Sequence, residues 1–249
     1  MTGRLQVIYQ PAGRAREYSP WALNLYVGCG HGCEYCYAPA AIHHLRESFV
    51  SSPAPRKDII ARVGHDAPLV AGKVDAPVLL SFTSDAYQPI EEELGITRQA
   101  IEILKRHGMN VTILTKAGML PMRDLDLLGD GDSVGVSLTC DNDTDSLKWE
   151  PGASLPSERI NLLREAHRQG ISTWASLEPV LYPEQSLHLI DMTCEFVDKY
   201  KVGVLNYHPH AKTIDWPVFA VDVVERLQSC GADYYIKRDL ARYMATHLP

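Results

Sequence analysis

The chain of 249 residues lacks the features that mark membrane and secreted proteins. No apolar run approaches the length of about 18 residues that a membrane-spanning helix needs. The first ten residues carry no long apolar segment, so no signal peptide is evident. Six cysteines are too few for the disulfide framework of a small secreted protein. We therefore expect a cytoplasmic protein with reduced thiols and no membrane partner.

An excess of positive charge is also missing. The chain carries 24 lysines and arginines against 31 aspartates and glutamates, which gives a formal net charge of −7. This balance weighs against broad, non-specific binding of nucleic acid phosphates, although a local basic groove stays open. An apolar content of 45% and a charged content of 22% are ordinary for a globular protein. A chain of this size suits one α/β barrel-like domain.

The most informative stretch is the segment 29–36, which follows a predicted strand over 22–27. Its spacing is Cys-x3-Cys-x2-Cys, formed by Cys29, Cys33 and Cys36. Three thiolates on one loop suit three corners of a [4Fe–4S] cluster, because soft sulfur ligands match iron–sulfur chemistry. No fourth cysteine follows nearby, so one iron would stay open to another ligand.

Zinc is the main alternative for this loop. Structural zinc needs four ligands, usually arranged in two paired arms. His31 is a possible fourth ligand, but it lies inside the same short loop, where a tetrahedron is hard to complete. The spacing therefore favours an iron–sulfur cluster.

With Tyr35, the three cysteines reproduce a Cys-x3-Cys-x-aromatic-Cys signature, and in this the chain resembles the radical S-adenosylmethionine (SAM) superfamily. The resemblance implies that the open iron binds the amino and carboxylate groups of SAM. It also implies that the reduced cluster cleaves SAM to a 5′-deoxyadenosyl radical, which abstracts hydrogen from a substrate. An electron donor such as flavodoxin or ferredoxin is then required, and Tyr35 is expected near the adenine.

The rest of the chain alternates predicted strands and helices. After the strand over 22–27, we predict strands over 78–82, 111–116, 134–140, 171–180 and 202–208, and a short extra strand over 233–238. We predict helices over 38–48, 56–63, 91–107, 122–128, 158–169, 186–199 and 217–227. Six strand–helix units imply a parallel sheet with right-handed crossovers. Because six falls short of eight, we predict an open, partial (β/α)6 TIM-like barrel, the radical SAM core.

We expect a single radical SAM domain over residues 1–249. An N-terminal arm covers 1–20, the barrel core covers 21–210, and a C-terminal helix and short extra strand cover 211–249. No internal repeat or low-complexity tail is evident in the sequence.

Polar residues cluster at the predicted strand ends, where α/β barrels place their chemistry. After the second strand, the resemblance makes Asp85 the charged acceptor for the SAM ammonium, assisted by Thr83 and Ser84. The alternative is that Ser84 and Asp85 cap the following helix. At the end of the third strand, Lys116 is either a partner for a carboxylate of SAM or substrate, or a solvated lysine.

Later strand ends supply further candidates for cofactor binding, namely Ser137, Thr139, Glu178, Asn206 and His208. Glu150 lies in a Glu-Pro-Gly turn that either binds SAM or substrate or is only a turn. Lys237 and Arg238 are the best basic candidates for a substrate phosphate or carboxylate, with a charged edge as the alternative.

More narrowly, the arm over 9–20 and the two tyrosines that flank Cys36 resemble the spore photoproduct lyase-like branch of the superfamily. That lyase uses a cysteine as hydrogen donor just before a Thr-Ser-Asp sequence, where this chain has Phe82. Phenylalanine cannot donate a hydrogen atom to a carbon radical. The candidates for this catalytic step are instead Tyr37, Tyr87 and Cys140, beside Tyr35 at the cluster.

We therefore expect a radical SAM enzyme that acts on an unidentified substrate, such as a nucleotide, a modified base or a peptide side chain. Two alternatives stay open at this point. One is a DNA photoproduct lyase-like repair enzyme, and the other is a non-catalytic iron–sulfur redox or sensor protein.

Overall fold

The alternating pattern of the sequence forms one large, mostly parallel sheet flanked by helices. The computed structural model describes residues 6–244. The strands are β1 (Ile8–Tyr9), β2 (Trp21–Leu23), β3 (Tyr26–Val27), β4 (Ala54–Pro55), β5 (Val78–Leu80), β6 (Val111–Thr115), β7 (Ser133–Ser137), β8 (Ser172–Leu177), β9 (Lys199–Val202) and β10 (Asp233–Ile236). The α-helices are α1 (Ala38–Ala41), α2 (Arg46–Ser51), α3 (Ile59–Val70), α4 (Glu91–Leu94), α5 (Ile96–Arg106), α6 (Asp143–Trp149), α7 (Pro156–Arg168), α8 (Pro183–Thr193), α9 (Trp216–Ser229) and α10 (Arg238–Met244).

Shorter 3₁₀ segments complete the secondary structure at Gly13–Glu17, Ala71–Lys73, Leu120–Leu127 and Pro209–Thr213. The main sheet has the order β1-β2-β5-β6-β7-β8-β9-β10, and every neighbouring pair from β2 onward is parallel. Only β1 pairs antiparallel, with β2, while β3 and β4 form a separate small hairpin. β1 and β10 are the two ends of this order within residues 6–244, which confirms the open, partial barrel.

The sixth predicted strand, over 202–208, is wrong in position. The strand is β9, which ends at Val202, where the prediction began. In β9, two partly exposed lysines alternate with buried Tyr200 and Val202. Because of these lysines, the prediction extends the preceding helix to residue 199 and begins the strand only at residue 202. The apolar residues Val204 and Leu205 lie instead in the loop after the strand, next to the site.

Several other boundaries also differ from the predictions. The first predicted strand, over 22–27, is divided between β2 and β3, and the arm holds β1 and a 3₁₀ turn. His43 and Gly95, both with positive φ, interrupt the helices predicted over 38–48 and 91–107. The helix predicted over 56–63 begins at Ile59 and extends to Val70, and the one predicted over 122–128 is a 3₁₀ segment. Residues 1–5 and 245–249 of the predicted single domain lie outside the described residues, and that assignment stays a prediction.

The barrel interior is closed by an aromatic side chain. Trp174 of β8 lies opposite Gly135 of β7 in register, and a Cβ atom at position 135 would overlap its indole ring. Ala22 and Leu79 from neighbouring strands pack in the same buried cluster, with Phe82 and Leu114 against it. The larger hydrophobic core lies between the sheet and the helices. Among the helices of residues 6–244, none is long and apolar enough to cross a membrane.

We expect Gly135→Ala to lower the free energy of unfolding by about 1–3 kcal/mol, because the added methyl group must displace the Trp174 ring in a packed interior. Urea denaturation measures this loss. Gly64→Ala is the matched control, since position 64 lies in α3 with open space around it. There, alanine should leave stability unchanged or raise it by roughly 0.5–1 kcal/mol. Equal effects of the two substitutions would contradict this account of the interior.

Candidate active site

The carboxyl ends of the parallel strands surround a cavity of about 420 Å³. This edge is where α/β barrels carry their functional groups, and the volume suits a small organic ligand. Its wall combines the cysteine loop with the ends of the strands, contributing Ser81–Asp85, Leu114, Thr115, Lys116, Ser137, Glu178, Pro179, Val204, Leu205, Asn206, Tyr207 and Lys237. The N-terminal arm adds Ala12, Arg14, Ala15 and Tyr18.

The predicted cluster ligands Cys29, Cys33 and Cys36 all line this cavity, and none of them forms a disulfide. A second, small cavity of about 20 Å³ is lined by the same three cysteines together with Arg46, Phe49 and other residues. Within residues 6–244, no three side chains of His, Cys, Asp or Glu form a preassembled metal site.

The donor set nevertheless fits an iron–sulfur cluster. Burial raises the pKa of Cys33 to about 12 and raises that of Cys29 above its ordinary value. Buried thiols of this kind give up their protons when a metal centre supplies compensating positive charge. Three such thiols on one cavity-lining loop would hold three corners of a [4Fe–4S] cluster.

The backbone of the cysteine loop is fixed from both sides. The fully buried amide of Gln88 donates to the carbonyl oxygen of Gly28 (3.1 Å) and accepts from the backbone N–H of Gly30 (2.9 Å). The backbone N–H of Cys29 donates to the carbonyl oxygen of Phe49 (2.9 Å). Gly28 has φ +84°, and a Cβ there would lie 2.6 Å from that same oxygen. Glycine is therefore required at position 28, where the chain enters the cysteine loop.

His31 is not free to complete a zinc site. Its ring is buried, with Nε2 3.0 Å from a carboxylate oxygen of Asp85 and Nδ1 3.0 Å from the carbonyl oxygen of Gly152. Both ring nitrogens are therefore engaged by the protein, which agrees with the preference for a cluster over zinc.

Asp85 lies on the cavity wall, but its carboxylate is already occupied. Besides His31, it accepts hydrogen bonds from the backbone N–H groups of Tyr87 (2.8 Å) and Lys116 (2.7 Å) and from the hydroxyl of Thr115 (2.8 Å). Burial alone would raise its pKa, but His31 and these donors hold the pKa of Asp85 below its usual value. The next helix along the chain begins only at Glu91, so the alternative in which Ser84 and Asp85 cap that helix is wrong. The role of Asp85 toward SAM stays a prediction.

Glu150 is buried beneath the cavity and is not part of its lining. It forms an ion pair with buried Arg159 (2.6 Å) and accepts hydrogen bonds from the hydroxyls of Thr139 (2.9 Å) and Tyr35. Burial acts to raise its pKa, but the positive charges of Arg159 and Lys116 hold the pKa of Glu150 below its usual value. Glu150 thus fixes the ring of Tyr35, and the expectation that it contacts SAM or substrate is not supported.

The structure brings most predicted site residues together. Those that line the cavity are Tyr35, Tyr37, Thr83, Ser84, Asp85, Lys116, Ser137, Glu178 and Asn206. The ammonium of Lys116 lies 5.7 Å from the centre of the Tyr35 ring.

Besides Glu150 and Arg238, four predicted residues are not part of the lining. Thr139 and Cys140 are buried behind it, and Tyr87 is fully buried with its hydroxyl on Asp124 (3.0 Å). His208 packs edge-on against Trp149, with ring centres 5.1 Å apart. Cys140 and Tyr87, two of the proposed hydrogen donors, are therefore not brought to the cavity.

Sequence reasoning missed the network of contacts that Tyr18 of the arm forms on the cavity wall. The hydroxyl of Tyr18 donates to Glu178 and lies 2.9 Å from the hydroxyl of Ser176. Lys237, only 5% exposed, also donates to Glu178, and its ammonium lies 4.0 Å from the centre of the Tyr18 ring. Lys237, a predicted candidate for binding a substrate phosphate or carboxylate, is thus already paired with a carboxylate of the protein. No local pattern marks these contacts, because the partners of Tyr18 are far away in the sequence.

The N-terminal arm closes the open side of the barrel. Arg14 forms an ion pair with Asp239 (2.6 Å) and donates to the hydroxyl of Tyr207 (2.8 Å). The carboxylate of Glu17 accepts hydrogen bonds from the Tyr235 hydroxyl (3.0 Å) and from the backbone N–H of Arg238 (2.8 Å). The arm thus joins the last strand, β10, to the wall of the cavity.

The structure is an α/β partial barrel with a cysteine loop and polar groups at the carboxyl ends of its strands, the edge where such barrels carry enzyme sites. The chain belongs to the radical SAM superfamily, whose sequence profile matches residues 23–197. The matched segment contains the cysteine loop and strands β3 to β8, but not the arm, β9 or β10.

Solved structures support the same fold. A mutant spore photoproduct lyase with bound AdoMet and dinucleoside spore photoproduct aligns with a TM-score of 0.68 at 15% identity, covering 92% of this chain and 79% of that one. Streptococcus suis SuiB bound to S-adenosylmethionine aligns with a TM-score of 0.67 at 12% identity, covering 90% of this chain and 52% of that one. At these identities the likeness shows the fold.

Proteins found by sequence comparison have higher identities to this chain than the solved structures do, and they are longer than this chain. An uncharacterized protein of Methanocaldococcus jannaschii is 29% identical over 190 residues, covering 75% of this chain and 70% of that protein. An uncharacterized protein of Mycobacterium tuberculosis is 27% identical over 170 residues, covering 65% and 49%. The radical SAM Nα-GlyT isomerase of Pseudomonas phage M6 is 27% identical over 156 residues, covering 61% and 31%. The chain thus spans between about a third and 70% of these relatives.

We expect Gln88→Leu to weaken cluster retention, because residues that orient a ligand loop typically contribute roughly 10–100-fold to metal affinity. After anaerobic reconstitution, loss of the cluster's visible absorbance in the presence of a chelator should be roughly tenfold faster than in wild type. Gln99→Leu, on the exposed face of α5, is the control and should match wild type. Identical rates in all three proteins would show that the Gln88 clamp does not hold the loop.

Lys201 supports the Tyr18 wall from behind. Its ammonium donates to the carbonyl oxygens of Tyr18 (2.5 Å) and Glu17 (3.2 Å). Burial, followed by the positive charges of Lys199 and Lys237, lowers the pKa of Lys201 to about 8 from 10.5. Below pH 8 both the folded and unfolded states hold the proton. Between about pH 8 and 10.5 only the unfolded chain holds it, so stability rises with pH in this range.

We therefore expect the stability of wild type relative to Lys201→Met to increase by roughly 2–3 kcal/mol between about pH 8 and pH 10.5. Urea denaturation at a series of pH values measures this difference. Lys199→Met, whose side chain lies on the same strand and pairs with Asp233 at the surface, is the control. If both variants follow wild type in parallel across this range, the buried ammonium does not have the lowered pKa.

Proposed function

We propose that this enzyme binds SAM at a [4Fe–4S] cluster held by Cys29, Cys33 and Cys36, and directs the resulting radical at a hydrogen atom of an organic substrate. The observation that carries this proposal is that the three cysteines line the same cavity as the polar strand ends. When bound, the cluster would supply one electron that splits SAM into methionine and a 5′-deoxyadenosyl radical. A one-electron reductant such as flavodoxin or ferredoxin is required as partner.

Unpaired hydroxyl groups support a polar ligand in this cavity. The side-chain oxygens of Ser81 and Thr83 are buried, line the cavity and have no hydrogen-bond partner among the described residues. A buried polar group without a partner costs roughly 1–3 kcal/mol, so such groups usually meet a ligand or water. We assign them, with Ser84 and Lys116, to the amino-acid part of SAM. We assign Tyr35 to the adenine.

The remaining wall is suited to protecting a radical. Phe82, Leu114, Val204 and Leu205 give the cavity an apolar lining next to the polar strand ends. Such a lining excludes water from the reacting carbon. Asn206, Ser137 and Glu178 are the polar groups that we assign to orienting the ribose or the substrate.

The mouth of the cavity favours a substrate with a planar ring. Tyr37 is 53% exposed and Tyr207 is 87% exposed, and both contribute to the lining. The guanidinium of Arg14 lies 5.6 Å from the centre of the Tyr207 ring. Exposed aromatic and guanidinium planes stack well on nucleobases. We therefore favour a nucleotide or modified base over a peptide side chain.

Photoproduct lyase activity is a weaker proposal. Phe82 lines the cavity at the position where the resemblance places the hydrogen-donating cysteine of the lyase. Among residues 6–244, the cysteines that line the cavity are those of the cluster loop. Tyr37 is then the remaining candidate from our list for hydrogen donation to the product radical. Membership of the superfamily also argues against the non-catalytic sensor alternative.

We expect the anaerobically reconstituted protein, given dithionite and SAM, to form 5′-deoxyadenosine, measured by chromatography. Cys33→Ala should reduce the product to background, because the cluster loses a ligand. Cys140→Ala is the matched control: this thiol is buried outside the cavity, so product formation should stay within about twofold of wild type.

A fully loaded cluster that forms no product, even with nucleotides and nucleosides added, would overturn the proposal. If product forms, transfer of deuterium from labelled nucleosides into 5′-deoxyadenosine identifies the substrate class. Transfer from labelled peptides alone would exclude the preference for a planar ring.

A further inference from the structure

Two cysteines far from the cluster loop lie at equivalent ends of neighbouring helices. Cys194 follows the last residue of α8, and Cys230 follows the last residue of α9. Both helices follow parallel strands of the sheet, β8 and β9, and therefore run in the same direction. They end at the edge of the barrel opposite the cavity.

An ion pair marks where these two helices meet. Asp191 of α8 pairs with Arg226 of α9. Cys194 lies three residues beyond Asp191, and Cys230 lies four residues beyond Arg226. Residues three and four apart share one face of a helix, so both thiols fall on the seam that the ion pair marks, about one turn further on.

The two thiols approach each other across this seam, since the thiol of Cys194 is the neighbouring side chain that, after burial, raises the pKa of Cys230 most. The S–H of Cys194 donates to the carbonyl oxygen of Asp191 (3.8 Å). Both cysteines are partly exposed, so a small reagent in solution reaches them. Neither lines the cavity.

We propose that Cys194 and Cys230 form a dithiol site that closes to an intramolecular disulfide when it reacts with a small-molecule disulfide such as glutathione disulfide. One protein thiol attacks the reagent, breaks its S–S bond and releases one glutathione. The second protein thiol then attacks the mixed disulfide and releases the other glutathione. Two electrons and two protons pass from the protein to the reagent, which balances the reaction.

The local environment makes this exchange slow. Burial and the adjacent thiol raise the pKa of Cys230, so its thiolate is scarce at neutral pH. The disulfide would join the ends of α8 and α9 and enclose β9 and its loop in a covalent ring. Such a ring stabilises the fold by restricting the unfolded chain. The site does not depend on the proposed SAM chemistry, so the two proposals fail separately.

The test uses the cluster-loaded full chain, incubated without oxygen with glutathione disulfide at mildly alkaline pH. Remaining thiols are then blocked with a maleimide, and tryptic peptides are analysed by mass spectrometry. We expect one cross-linked peptide that contains Cys194 and Cys230, with the iron content unchanged. Cys194→Ser and Cys230→Ser, the matched variants, should instead keep one glutathione on the remaining cysteine.

Thermal unfolding gives the second measurement. The oxidised wild type should melt roughly 10 °C higher than the reduced protein, and dithiothreitol should reverse this shift. Cys194→Ser should show no shift. Separate glutathione adducts on both cysteines of the wild type, or two thiols that remain free, would overturn the proposal.

Discussion

The buried contact between His31 and Asp85 is the interaction on which the site depends. His31 belongs to the cysteine loop, and Asp85 to the end of β5. Through the same carboxylate, Asp85 also holds the end of β6 at Thr115 and Lys116, while the other nitrogen of His31 meets Gly152. Four segments that are distant in the sequence thus meet at one imidazole–carboxylate pair. Removing either partner would leave the other buried group without its main contact, a situation that proteins tolerate poorly. The position of the loop relative to the strand ends is therefore set before any cofactor arrives.

The cavity has two halves of different origin. The half beside the cysteines is built from the segment that matches the superfamily, residues 23–197. The opposite half comes from outside this segment, with Tyr18 from the arm and Tyr207 and Lys237 from the segments that follow β9 and β10. A shared reaction requires the first half, whereas the choice of substrate depends on whatever covers the open side of the barrel. Fold alone does not determine function, and we propose that the part of the wall outside the matched segment recognises the substrate.

Local patterns predicted the cofactor half better than the substrate half. The spacing of Cys29, Cys33 and Cys36 and the polar end of β5 are contiguous in sequence, so they are visible without a structure. The partners of Glu178 are not, because Tyr18 and Lys237 reach it only after the sheet has brought the two ends of the chain together. The same holds for Cys194 and Cys230, which look isolated in sequence but meet between parallel helices. The error at β9 has a different cause: its lysines obscured the alternation that identifies a strand.

The carboxylates at the cavity are paired within the protein, and this pairing favours one kind of ligand over others. On the wall, Glu178 is paired with Lys237, and beneath the wall buried Glu150 is paired with Arg159, so both carboxylates already have partners within the protein. A wall of paired charges has little attraction for a simple ion, since binding would break an existing contact. It suits instead a ligand that carries its own balance of charge and needs mainly hydrogen bonds from neutral groups. SAM, with an ammonium, a carboxylate and a sulfonium, is such a ligand, and we propose that the unpaired hydroxyls of the wall bind it. The same pairing keeps the substrate half nearly neutral, which fits a planar, weakly charged ring better than a bare phosphate.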